Sequence, residues 1–208
     1  MKKWKLFTSM KDEENWINHI QSQGYRLTKV NPWLGIYQFE EHQGSPLLVR
    51  LDFHEHIKSK DYLEYLSLFQ ESGWNCLEGS KRSGVHYFQQ ATNSSSTEIF
   101  SDQESLVAVH KRYQKFALTY FSIFLAYFFI FYQSNINNGF YPWNPQSWFL
   151  TPGLWEREGF SFWFGFLFEM PFALFRSGLI PLIFIGFSIY FLFISEKVKK
   201  EIQHIKDF

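Results

Sequence analysis

FALTYFSIFLAYFFIFY, residues 116–132, carries no formal charge over 17 positions, and GLIPLIFIGFSIYFLFI, residues 178–194, repeats the pattern at the same length. At 1.5 Å of rise per residue, a helix of that length is just able to cross a hydrocarbon layer of roughly 30 Å. The two runs make the chain a membrane protein, and the remaining sequence is read outward from them.

The mean hydropathy of −0.22 averages two unlike halves. Of the 26 Phe, 20 lie from Phe116 onward, whereas 28 of the 40 charged residues lie within residues 1–115. A formal net charge of zero gives no concentrated basic face for phosphate, so no direct nucleic-acid partner is expected. A single Cys76 excludes an intramolecular disulfide and suits a reducing compartment. The opening MKKWKLFTSMKDEENW lacks the apolar stretch of a secretory signal, which predicts a retained, cytosolic N-terminus.

Lys111, Arg112 and Lys115 precede the first run, and Lys197, Lys199 and Lys200 follow the second. The segment between them, 133–177, has only Arg157 and Arg176 as basic groups. The positive-inside rule then predicts a multi-pass membrane protein with both termini cytosolic and 133–177 external. The basic flanks also suit contacts with anionic lipid headgroups.

FSFWFGFLFEMPFALF, residues 160–175, is apolar but holds Glu169 and Pro171 and is followed by Arg176. A third span would put the basic tail on the wrong side, and an unpaired strand cannot exist in lipid. The segment is therefore expected to be an interfacial or re-entrant helix, with Trp143, Trp148, Trp155 and Trp163 at headgroup level.

The first 90 residues match themselves at a constant offset of 49 without a gap: Gly24 with Gly73, Tyr25 with Trp74, Leu27 with Cys76, Gly35 with Gly84, and Phe39 with Phe88. Each half reads strand, helix, strand, strand. In the first half, Lys3–Thr8 alternates as a strand and Ser9 with Asp12 approaches a capping box. Trp16, Ile17 and Ile20 then form an apolar stripe that Gly24 ends, before a hairpin of 25–30 and 36–41. The second half predicts a strand over 47–53, a helix over 61–71 and strands over 74–78 and 85–90.

The expected fold class is an α+β cytosolic domain over 1–90, from two tandem β-α-β-β repeats with about six strands and two helices. A polar linker follows over 91–101. Ser101 with Glu104 then opens a helix over 102–132 that continues into the first span. Beyond it come the external aromatic loop with its interfacial helix, 133–177, the second span, 178–195, and a basic cytosolic tail, 196–208.

Asp52, His54 and His56 fall at spacing two on one expected strand, so they share a face and could ligate a metal, although most such pairs are solvated. Glu169 and Arg176, two turns apart, are ionisable groups inside the apolar half and are candidates for function in the membrane. The chain shows no phosphate loop, nucleophile elbow, HExxH or dinucleotide fingerprint, so no catalytic residue and no cofactor is assigned.

KWKLF at 3–7, EENWINHIQSQGYRL at 13–27, GIYQFE at 35–40, RLDF at 50–53, YLSLFQESGW at 65–74 and EIFSD at 98–102 resemble the bacterial domain-of-unknown-function 2812 family. The likeness covers about the first 105 residues, and it implies a cytosolic domain followed by hydrophobic spans. Members are often encoded beside PadR-type transcriptional regulators, which implies a membrane-linked role in gene control.

The expected function is that of a sensory or regulatory partner of a cytosolic PadR-like regulator in a membrane or envelope stress response. The alternative is a transport accessory or immunity protein that engages a membrane-active peptide or lipid through its aromatic loop. Its partners are accordingly the lipid bilayer and a protein, a transcriptional regulator or a transporter.

Overall fold

Gly24 and Gly73 end two helices at φ of 86° and 84°, where a side chain would be strained, and each turn leads into a strand. The helices are α1 (Met10–Gln21) and α2 (Ser59–Glu71), and the strands β2 (Tyr25–Asn31) and β5 (Trp74–Glu78). The computed structural model describes residues 1–32, 34–79, 81–82, 84–91, 97–100 and 102–207. Of the expected linker 91–101, residues 92–96 and 101, including the Ser101 cap, lie outside the described residues.

The chain forms two compact units, Met1–Phe116 with Ile194–Phe208, and Ala117–Phe193. In the first unit, β2 joins β1 (Lys2–Trp4) and β3 (Ile36–Glu41) in an antiparallel sheet of order β1-β3-β2. The strand β5 joins β4 (Val49–His54) and β6 (Gly84–Gln90) in a second sheet of order β4-β6-β5. Register slips between Leu27 and Lys29 in the first sheet and between Cys76 and Glu78 in the second.

The strand β1 is shorter than the expected 3–8. Beyond Lys5, whose N–H still reaches the Gly35 carbonyl at 2.9 Å, Phe7 leaves the ladder to pack on Trp16 at 5.4 Å and Tyr37 at 6.1 Å. Ser9 caps α1 by accepting from the Asp12 N–H at 3.2 Å. Ile17, Ile20, Leu27, Val30, Phe39, Val49, Leu51, Phe53 and Tyr87 form the core of this unit.

The outer edge of β4 is covered by side chains of α1. Asn18 donates to the Val49 carbonyl at 3.0 Å and accepts from the Val49 N–H at 2.8 Å, while Glu14 accepts from the Leu51 N–H at 3.1 Å. Gln21 donates to the Leu47 carbonyl at 2.5 Å. Strand-edge groups that would otherwise face solvent or another chain are thus paired within the fold.

Two helical stretches are long and apolar enough to cross a membrane, α3 (Gln103–Asn137) and the run Gly159–Lys206. The run comprises α4 (Gly159–Ala173), a π-helical turn over Leu174–Leu179 and α5 (Ile180–Lys206). In the second unit, α3 and α5 meet through rings: Tyr120 on Phe191 at 5.4 Å, Phe124 on Phe187 at 5.1 Å and Phe131 on Phe184 at 5.2 Å. Pro181 has no N–H for the Ser177 carbonyl one turn back, and Asn135 donates to that carbonyl at 3.0 Å.

Candidate functional site

Glu13 lies on the apolar stripe of α1, between Met10 and Ile17, and is buried with them. Its Oε1 accepts from the Tyr37 hydroxyl at 2.6 Å and the Tyr87 hydroxyl at 2.5 Å, one from the central strand of each sheet. Burial raises the Glu13 pKa above its ordinary 4.5, against the lowering effect of the two tyrosine bonds. Burial and the neighbouring carboxylate push both tyrosines up. The group ties α1 to both sheets, and its signal in the sequence is an acid three residues after Met10 and four before Ile17.

The next residue, Glu14, faces a cavity of about 170 Å³ among Met10, Arg50, Leu51, Phe100 and His110. Arg50 bonds Glu14 at 2.7 Å, Glu98 at 2.8 Å and the Thr97 carbonyl at 3.2 Å. Burial raises the Glu14 carboxyl to about 6 despite Arg50. The volume is below the roughly 300 Å³ at which small-molecule pockets begin, and the charged lining is already internally paired.

Asp52 is buried at the centre of another group. It accepts from Tyr65 at 2.7 Å, Arg112 at 2.9 Å and the Phe53 N–H at 2.7 Å, with His54 Nε2 at 3.4 Å. Burial alone would raise its pKa; bonds from His54 and Tyr65, with the charges of His54 and Arg112, outweigh it and hold the carboxyl below its usual value. Asp52, His54 and His56, the weak metal candidate of the sequence, are not gathered into a metal-binding group. The strand β4 ends at His54, two residues short of His56, and the Asp52 oxygens are already taken. Among the described residues, no group of three or more His, Cys, Asp and Glu is placed to hold a metal ion.

Arg112 also donates to the Phe53 carbonyl at 2.8 Å, and the Tyr113 and Phe116 rings meet Phe53 tilted and edge-on at 5.0 and 5.2 Å, which fixes the third and fourth turns of α3 on β4. Of the other basic flank residues, Lys197 bonds Asp12 at 2.5 Å and Thr8 at 3.3 Å, and Lys199 lies 4.0 Å from Glu196. Lys111, Lys115 and Lys200 are exposed.

In the second unit, Glu169 and Arg176 come within 3.7 Å of each other. Glu169 accepts from the Leu150 N–H and, at 2.9 Å, from the Thr151 N–H; Arg176 donates to the Trp148 carbonyl at 2.5 Å and stands over the Phe140 ring at 5.0 Å. Both charges therefore hold the loop 138–158 against the helical run and pair backbone groups of that loop. No curated protein and no solved structure matches this chain. Residues 9–122, more than half of the chain, match the family described as "Protein of unknown function (DUF2812)", and the chain belongs to that family.

Proposed function

We propose that this chain is a membrane-anchored regulatory protein whose α+β domain engages a cytosolic protein partner in response to membrane or envelope stress. The observation that carries the reading is α3: one helix held on β4 at Arg112, Tyr113 and Phe116, and whose continuation is apolar. A change at β4 then has a physical route into an apolar helix. The resemblance to a family often encoded beside PadR-type regulators makes that class the first partner to test. Binding of the detergent-solubilised full chain to the neighbouring regulator, together with an altered regulon on deletion, is the expected result; failure of both removes the proposal.

The domain reads as a tandem duplication, and paired geometry supports this. Trp16 meets Phe39 at 6.0 Å and Tyr65 meets Phe88 at 5.8 Å, both edge-on and 49 residues apart. The bulges at 27–29 and 76–78 keep the same offset, as do the bonds His42 N–H to the Gly24 carbonyl and Ala91 N–H to the Gly73 carbonyl.

We read residues 160–175 as interfacial or re-entrant, with both termini cytosolic and the basic flanks on lipid headgroups. The apolar helical stretch 160–194 would extend roughly 52 Å, more than even a strongly tilted single crossing absorbs. Cysteine accessibility on both sides of sealed vesicles tests this: positions 2 and 204 should react together, and position 143 from the opposite side.

A further inference from the structure

We propose that the outer tip of the first sheet is a docking surface for an anionic lipid bilayer. Trp4 is 70% exposed, Leu6 61% and Leu34 56%, three large apolar side chains gathered in one small region. They meet around the β2–β3 turn. Trp4 pairs with Ile36, Lys5 bonds Gly35, and Leu6 Cδ2 lies only 2.8 Å from where a Cβ on Gly35 would stand.

Strand alternation fixes the face. Lys3 is opposite buried Tyr37, so Lys2 and Trp4 point the other way, away from the core. The exposed face is graded in rows. Leu6 and Leu34 form the tip, Trp4 and Ile36 the next row, and Lys2 and Lys29, both opposite Gln38, the row behind. At about 3.4 Å per residue, the lysines stand roughly 7 Å behind the Trp4 row, the depth that separates an interfacial indole from headgroup phosphates. The acid Glu40 enters only one row further back, opposite Arg26.

The second sheet shows what covers such a face when a protein does: there Phe53 lies under Tyr113 and Phe116. On the first sheet the residue 49 positions earlier is Trp4, exposed and accompanied by lysines instead. An amphipathic indole with a basic row suits an anionic headgroup region, and the apolar helices of the same chain keep a bilayer at high effective concentration, so weak docking suffices.

The test uses the full chain with Cys76→Ser and Leu6→Cys, labelled with an environment-sensitive fluorophore. It is reconstituted in vesicles of phosphatidylcholine alone and of phosphatidylcholine mixed with phosphatidylglycerol. The expected result is a blue shift, with quenching by lipid-borne quenchers, in the anionic vesicles. Lys2→Gln and Lys29→Gln should each move the docked-to-undocked ratio about fivefold toward undocked. High salt should do the same. A label at Ser67→Cys, on the exposed side of α2, should stay in water in both vesicles, which shows that burial is confined to the tip. A label at position 6 that stays in water in anionic vesicles overturns the proposal. So does one buried equally in neutral vesicles and deepening with protein density, which assigns the face to a second copy of the chain.

Discussion

Tyr87 and Tyr37 donate their hydroxyls to the same oxygen, Glu13 Oε1, from the middle strands of two different sheets. Replacing Glu13 by Ala strands two buried hydroxyls. The expected cost is about 2–4 kcal/mol, read by amide exchange of β3 and β6. Glu13→Gln keeps an acceptor for both and should cost much less. Because burial raises the Glu13 pKa, the stability linked to it is fully present below its unfolded value near 4.5 and declines as pH rises through the folded value; the Gln variant should flatten that decline.

Glu14 gives the sharper pH prediction. Its carboxyl is raised from 4.5 to about 6, so the unit should lose about 2 kcal/mol of stability between those two pH values. A carboxyl resonance followed by NMR should titrate near 6 and move downward on opening the cavity with Phe100→Ala. Arg50→Gln should raise it further.

Arg112→Ala removes a cation from buried Asp52 while Tyr65 and the Phe53 N–H remain. With the arginine side chain 39% exposed, solvent screening limits the expected loss to about 1–2 kcal/mol. The sign with pH is opposite to that of Glu14. The Asp52 pKa is depressed, so its contribution is present above about 3.8, is lost as pH falls below it, and should shrink in the variant. Exchange should rise first at the start of α3.

Glu169→Ala should free the loop around Leu150 and Thr151. Limited proteolysis or cysteine labelling of 138–158 in reconstituted membranes should increase several-fold. Glu169→Gln, which keeps one acceptor, should fall between. Unchanged labelling in the Ala variant would remove the anchoring role.

Local chemistry made much of the first unit legible. Alternation and the Gly24 and Gly73 helix stops locate β2, β3, β5 and β6 within about a residue, because those signals act over a few neighbours. The misplaced end of β1 follows from Phe7, whose attraction to Trp16 and Tyr37 is tertiary. The spacing-two pattern of Asp52, His54 and His56 runs past the strand, because β4 stops at His54. Arg112 and Lys197 read in the sequence as charges flanking apolar runs. Their bonds to Asp52 and Asp12 span 60 and 185 positions, distances at which periodicity carries no information.

The cover that α1 provides for β4 also has a temporal side. Synthesis runs from the N-terminus, so Glu14, Asn18 and Gln21 leave the ribosome before Val49 and Leu51 do. The second sheet therefore never needs to wait with a bare strand edge, the form in which nascent β-structure is most prone to pair with a neighbouring chain. The position of α1 ahead of β4 in the chain removes that hazard.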